Sequence, residues 1–78
     1  MFYTYVLKSK KDNKLYVGLS RDLRKRLARH NDGLVPSTKH RRPLELVYYE
    51  ACLNEERSVK RELYFKTGFG RRFLKDRI

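Results

Sequence analysis

The run Ser20-Arg21-Asp22-Leu23-Arg24-Lys25-Arg26-Leu27-Ala28-Arg29-His30 constrains this chain more than any other stretch. At 3.6 residues per turn it reads as a helix whose apolar stripe is Leu23 and Leu27 alone. Arg21, Arg24, Lys25 and Arg29 point away from that stripe, as a solvated face should. Arg26 lies i+3 from Leu23, and His30 lies i+4 from Arg26 and i+3 from Leu27, so both sit on or beside the buried face. Ser20 is the expected N-cap, with Asp22 near the positive end of the helix dipole, and Asn31-Asp32-Gly33 ends the helix. An inward arginine followed one turn later by a histidine is costly to desolvate without an anionic partner. That partner is either a structural carboxylate or a substrate phosphate.

With 78 residues, the chain is read as a single domain spanning 1–78 with a thin core. Lys and Arg number 20 against 9 Asp and Glu, a net charge of +11, while 40% hydrophobic and 13% aromatic residues are too many for a disordered basic tail. A folded domain this basic most often meets a polyanion, nucleic acid before a membrane surface. Cys52 is the single cysteine, which excludes a disulfide framework and a cysteine zinc site and fits a reducing, cytoplasmic location. The apolar run at the N-terminus is too short for a signal peptide or a membrane span.

Phe2 to Leu7 and Leu15 to Leu19 read as two strands of a hairpin around the polar segment Ser9-Lys10-Lys11-Asp12-Asn13. A short turn at Lys10 and Lys11 would set Tyr5 roughly opposite Tyr16. Gly18, unfavourable inside a strand, marks a close backbone approach or a bulge. Leu34 to Pro43, with Lys39, His40, Arg41 and Arg42, reads as an exposed basic loop with the composition of a phosphate-contacting surface. Leu44 to Tyr49 is the most apolar strand and is expected at the centre of the sheet. Asn54 caps a second helix with an apolar stripe of Val59 and Leu63, and Gly68 is the expected stop. A short basic helix packing Phe73, Leu74 and Ile78 follows. The order β-β-α-β-α-(α) describes an α+β domain: a small three-stranded, mainly antiparallel sheet flanked by helices.

On the second helix Glu62 lies i+3 from Val59, and Lys66 lies i+4 from Glu62, repeating the geometry of Arg26 and His30. A carboxylate at one inward edge and an Arg–His pair at another are either a buried salt bridge or two walls of an active site.

Tyr5, Tyr16-Val17-Gly18, Arg26, His30 and Glu62, in this order and at these spacings, resemble the GIY-YIG nuclease superfamily. Within it, the chain is most similar to the small stand-alone bacterial branch, related to the nuclease domain of the bacterial excinuclease. His30-Asn31-Asp32-Gly33, Arg42-Pro43-Leu44, Leu46-Val47-Tyr48-Tyr49-Glu50 and Lys66-Thr67-Gly68-Phe69-Gly70-Arg71 also resemble that branch. Of the first signature, here Tyr3-Thr4-Tyr5, the tyrosine is kept, and no asparagine follows Asn54.

The resemblance implies a metal-dependent endonuclease that hydrolyses phosphodiester bonds, in DNA ahead of RNA, by structure rather than sequence and with a link to repair or recombination. It implies one divalent ion, Mg²⁺ or Mn²⁺, on the Glu62 carboxylate. Tyr16 would be the general base or orient the attacking water, assisted by Tyr5. Arg26 would grip the scissile phosphate, and His30 would steady a tyrosine or a phosphate. Gly18, Lys39, Arg41, Arg42 and Arg71 complete the expected substrate contacts. A phenol with the ordinary pKa of ~10 is a poor base at neutral pH, which gives an arginine beside it a purpose. The second class of function left open is a non-catalytic basic nucleic-acid-binding module on the same fold. Whether it has a partner protein or dimerises is not encoded in any motif.

Overall fold

The computed structural model describes all 78 residues. The elements are β1 (Phe2–Ser9), β2 (Leu15–Ser20), α1 (Leu23–Asn31), a 3-10 turn (Lys39–Arg41), β3 (Leu44–Cys52), α2 (Glu55–Phe65) and α3 (Gly68–Lys75). The three strands form one antiparallel sheet, and the α+β order is the expected one.

The strand order is β2-β1-β3, so β1 is central and Leu44–Cys52 lies at an edge, against expectation. The reason is that β1 is covered on both faces, with Thr4, Tyr5, Val6 and Leu7 all buried, whereas Glu45, Tyr49 and Ala51 of β3 reach solvent. One face of β1 gives Tyr5 and Leu7 to a core with Leu44, Tyr16, Leu23 and Leu27 beneath α1. The other gives Val6 to a core with Phe65, Leu74, Tyr48 and Phe73 beneath α2 and α3. Pairing slips after Val6, which faces Tyr48 while Leu7 faces Leu46, leaving Val47 as a bulge residue. The bulge turns both Val47 and Tyr48 toward the α2–α3 core.

The hairpin register differs from expectation: Tyr5 pairs with Gly18 and Leu7 with Tyr16. The turn ends later than a Lys10–Lys11 reversal would, closing through Ser9 N to Lys14 O (3.0 Å) with Asn13 at φ 61°. The two phenol rings remain diagonal neighbours on one face, with centroids 6.5 Å apart.

Caps also shift. Asp22 rather than Ser20 caps α1, its carboxylate accepting from Lys25 N (3.1 Å), while the Ser20 hydroxyl is engaged with Asp22's own backbone. Asn54 caps α2 as expected. Gly68 does not stop a helix; it opens α3, whose N-cap is Thr67. Val59 and Leu63 are exposed (38% and 57%), and α2 buries Ser58 and Phe65 instead. The small Ser58 lets the helix approach the sheet closely enough for the Thr4 hydroxyl to donate to its carbonyl (3.1 Å). Phe73 and Leu74 pack inward as expected, but Ile78 is 44% exposed. No helix is long and apolar enough to cross a membrane.

Candidate active site

His30 is fully buried, the consequence of its place one turn beyond Arg26 on the inner face of α1. Its Nδ1 lies 2.7 Å from the Thr38 hydroxyl and its Nε2 2.8 Å from the Tyr5 hydroxyl. Thr38 Oγ1 has the Val35 carbonyl at 3.5 Å as its acceptor, so it receives a proton from Nδ1. Nε2 is then the lone-pair nitrogen and accepts from the Tyr5 O–H, the arrangement in which every proton has an acceptor. The Arg26 Nε–H donates to Tyr5 Oη (3.3 Å), completing the line Thr38–His30–Tyr5–Arg26.

This line sets the charge states. Burial, with the Arg26 charge adding to it, pushes the His30 pKa from 6.5 down to about 4, so the imidazole is neutral. Burial also pushes the Tyr5 phenol up, outweighing the hydrogen bond and charge of Arg26, which act downward. Tyr5 thus holds its proton and aims it inward at His30. The guanidinium of Arg26 is held firmly charged, first by its hydrogen bond to Tyr5. It joins none of the four ion pairs of the fold, so the anionic partner that its inward position calls for is not a structural carboxylate.

Tyr16 is the outward member of the pair. Its ring lies edge-on to His30 (5.2 Å between centroids), its hydroxyl accepts from Ser37 Oγ (3.3 Å), and its side chain lines a cleft of about 960 Å³. Glu62 lines the same cleft from α2, with Lys14, Arg41, Lys66, Arg71 and Lys75 around it. The Glu62 carboxylate is one-fifth exposed (19%) and has Lys66 Nζ at 3.6 Å, a loose i,i+4 pair. Its register is fixed by its neighbour. Arg61 forks onto Glu50 (2.8 and 3.0 Å) and lies over the rings of Tyr64, Phe65 and Phe73, clamping α2 to β3.

No group of three or more His, Cys, Asp or Glu side chains is assembled anywhere in the fold. A metal here would rest on one carboxylate, with water and a phosphate oxygen supplying the rest. A lone hard oxygen donor at the wall of a wet cleft suits Mg²⁺ or Mn²⁺, which keep much of their water, and suits zinc or copper poorly.

The fold thus brings Tyr5, Tyr16, Arg26 and His30 into one cluster, with Glu62 in the same cleft as Tyr16. The other expected contacts divide. Arg71 lines this cleft, and Arg41 does too, though its guanidinium is engaged with Asp12 (2.9 Å). Lys39 and Arg42 line a separate concavity. Gly18 is buried, and a Cβ there would stand 2.5 Å from Tyr5 Cζ, so the close approach it permits is that of the Tyr5 ring. Reasoning from sequence missed Ser37 and Thr38. They belong to a loop expected to be exposed, yet Val35 and Thr38 are buried and pin it beneath α1, and no local periodicity signals that.

The fold thus leaves the Arg26 guanidinium beside Tyr5 with no carboxylate partner, and a solitary acid, Glu62, in the basic cleft that Tyr16 lines. The chain belongs to the GIY-YIG family, whose catalytic-domain model matches residues 1–75. Membership implies a nuclease-type function on nucleic acid, and nucleases of this family generally use a divalent metal ion. The chain is 42% identical over 66 residues to UPF0213 protein SSP2268 of Staphylococcus saprophyticus, covering 83% of this chain and 79% of that one. It is 43% identical over 65 residues to UPF0213 protein YazA of Bacillus subtilis, covering 82% of this chain and 65% of that one. The solution NMR structure of UPF0213 protein BH0048 from Bacillus halodurans matches with a TM-score of 0.60 and 28% identity, over 97% of this chain and 84% of that one.

Proposed function

We propose that this protein is a divalent-metal-dependent endonuclease that hydrolyses phosphodiester bonds in DNA, selecting its substrate by shape. The observation that carries the reading is Arg26: a charged guanidinium at the inner edge of α1, hydrogen-bonded only to a phenol and paired with no acid. Keeping such a charge partly desolvated is costly, and a phosphate oxygen is the ligand that offsets the cost.

In this mechanism Arg26 binds and orients the scissile phosphate by donating N–H bonds to its oxygens. Tyr16, the phenol that faces the cleft, takes the proton of the attacking water or fixes its direction. Tyr5 does not act as the base, because its proton is committed to His30 Nε2. It holds Arg26 from beneath, while His30 and Thr38 hold Tyr5. Glu62 would hold Mg²⁺ or Mn²⁺, which when bound supplies charge stabilisation for the phosphate and the leaving oxygen. Lys14, Arg71 and Lys75 line the same cleft and bind the flanking phosphates. The 78 residues carry no zinc-finger or helix-turn-helix pattern of their own, so branched or damaged structures are the substrates to test first.

The second reading, a binding module without turnover, is favoured by the degenerate first signature Tyr3-Thr4-Tyr5 and the lack of an asparagine beyond Asn54. Cleavage of plasmid, single-stranded and branched DNA with and without Mg²⁺ or Mn²⁺ separates the two. Cleavage that requires metal and is lost in Glu62→Ala, with binding retained, is the expected result. Salt-sensitive binding with no metal-dependent cleavage of any substrate would leave the binding module.

A further inference from the structure

The hairpin turn between β1 and β2 separates two basic concavities. On one side lies the cleft of Tyr16 and Glu62, to which the turn contributes Asn13 and Lys14. On the other lies a concavity of about 480 Å³ lined by Lys11, Asn31, Lys39, His40, Arg42 and Pro43, with no carboxylate among them. Arg41 and Asp12, joined at 2.9 Å, form the partition: Arg41 lines the first cleft, while its neighbours His40 and Arg42 line the second.

The second concavity is built rather than incidental. The loop is stitched to the turn by Ser9 Oγ to Arg41 O (2.6 Å), Lys10 N to Pro43 O (2.9 Å) and Lys11 Nζ to His40 O (3.1 Å). Arg42 Nε donates to Lys39 O (2.9 Å), and its guanidinium lies against Gly33, where a Cβ would stand 2.8 Å from one of its nitrogens. Asn31 holds the end of the loop from beneath through both the N–H and the carbonyl of Leu44 (2.8 and 2.9 Å). Lys11 and Arg42 thus bond through their side chains to the backbone of the loop that carries Lys39, all three line the same concavity, and none of them pairs with an acid. Three like charges gathered on a preformed surface repel one another, and a phosphate between them reverses the sign of that interaction.

We infer that Lys11, Lys39 and Arg42 form a second phosphate-binding site, outside the catalytic cleft, that takes the backbone of the strand opposite the one being cut. The inference rests on the nuclease reading and adds to it that the substrate is duplex where the protein grips it. A β-hairpin is narrow enough to enter the major groove of B-DNA, and phosphates of two strands flank a groove on either side. With the turn at the groove, Lys14 and the Glu62 cleft meet one strand and the Lys11–Lys39–Arg42 concavity meets the other.

The test compares binding of a short duplex and of its single strand over a range of salt, in Ca²⁺ to avoid cleavage. The variants are the wild type, the triple variant Lys11→Gln/Lys39→Gln/Arg42→Gln, and the charge-matched control Lys25→Gln/Arg29→Gln/Arg57→Gln. All six substituted side chains are exposed, and the control residues line neither concavity. Each lost phosphate contact lowers the magnitude of the duplex salt slope by ~0.9, so the triple variant is expected to lose roughly 1 to 3 from it. On the single strand it should behave like the control. Equal losses on duplex and single strand, or a duplex slope no lower than the control's, would overturn the second site. Absence of salt-dependent binding by the wild type to either form would instead overturn the nuclease reading itself.

Discussion

Mild acidification, from pH 6.5 to 4.5, is expected to weaken this fold mainly through one side chain, His30. The imidazole has no exposure to water, and its burial together with the Arg26 charge holds its pKa at about 4 against an ordinary 6.5. Between those values the unfolded chain binds a proton that the folded chain refuses, so stability falls as the pH drops. The contribution is complete above pH 6.5 and is lost progressively toward pH 4, below which both states are protonated. Two carboxylates with lowered pKa values act elsewhere. Asp12 is held near 2 by Arg41, and Glu50 is held below its usual 4.5 because Arg61 and Tyr48 outweigh the upward effect of its burial. Their losses fall mainly below pH 4.5, which leaves the interval from 6.5 to 4.5 to report His30. Linkage over that interval gives ~2 kcal/mol. That is a large share of the ~5–15 kcal/mol that holds a domain folded. Urea unfolding at a series of pH values should show the midpoint falling while m stays constant. The variant His30→Gln, neutral throughout, should show a nearly flat midpoint. A wild-type midpoint unchanged from pH 6.5 to 4.5, or an equal fall in His30→Gln, would refute the account of a buried neutral imidazole.

Two substitutions probe the support beneath the tyrosines. Thr38→Val keeps the volume and removes the acceptor of the His30 Nδ1 proton; it should cost ~1–3 kcal/mol in unfolding free energy, the penalty of an unsatisfied buried donor. It should also lower kcat more than it raises KM, because Thr38 touches no substrate; a kinetic effect confined to KM would refute that positioning role. Gly18→Ala adds a methyl group where the Tyr5 phenol already stands. It is expected to cost ~1–3 kcal/mol by overpacking and to displace the Tyr5 hydroxyl from His30, visible as a loss of its protected side-chain resonances. A melting temperature within a degree of wild type would show that Tyr5 does not rest on Gly18.

Local spacing made the inner face of α1 readable. Leu23 and Leu27 define an inner face on α1, and Arg26, one turn after Leu23, and His30, one turn after Leu27, fall on or beside it, so their inward placement followed from the helical repeat. Turn and cap chemistry likewise placed the hairpin and the start of α2 at Asn54. The same logic misled on α2, where Val59 and Leu63 are the apolar residues but Ser58 and Phe65 are buried. There the helix face is chosen by its closeness to β1 and by the Arg61–Glu50 clamp, neither of which is local.

What the sequence by itself determined is the set of elements, their order, their apolar and basic faces, and the family's residues along them. Tertiary structure alone decided that β1 is central, that Tyr5 lies over Gly18, that Thr38 orients His30, and that the basic loop is split between two concavities. The physical reason is the same in each case. A residue's own neighbours along the chain fix which way it can point, but strand register, set here by a left-handed Asn13 and a bulge at Val47, fixes what it meets.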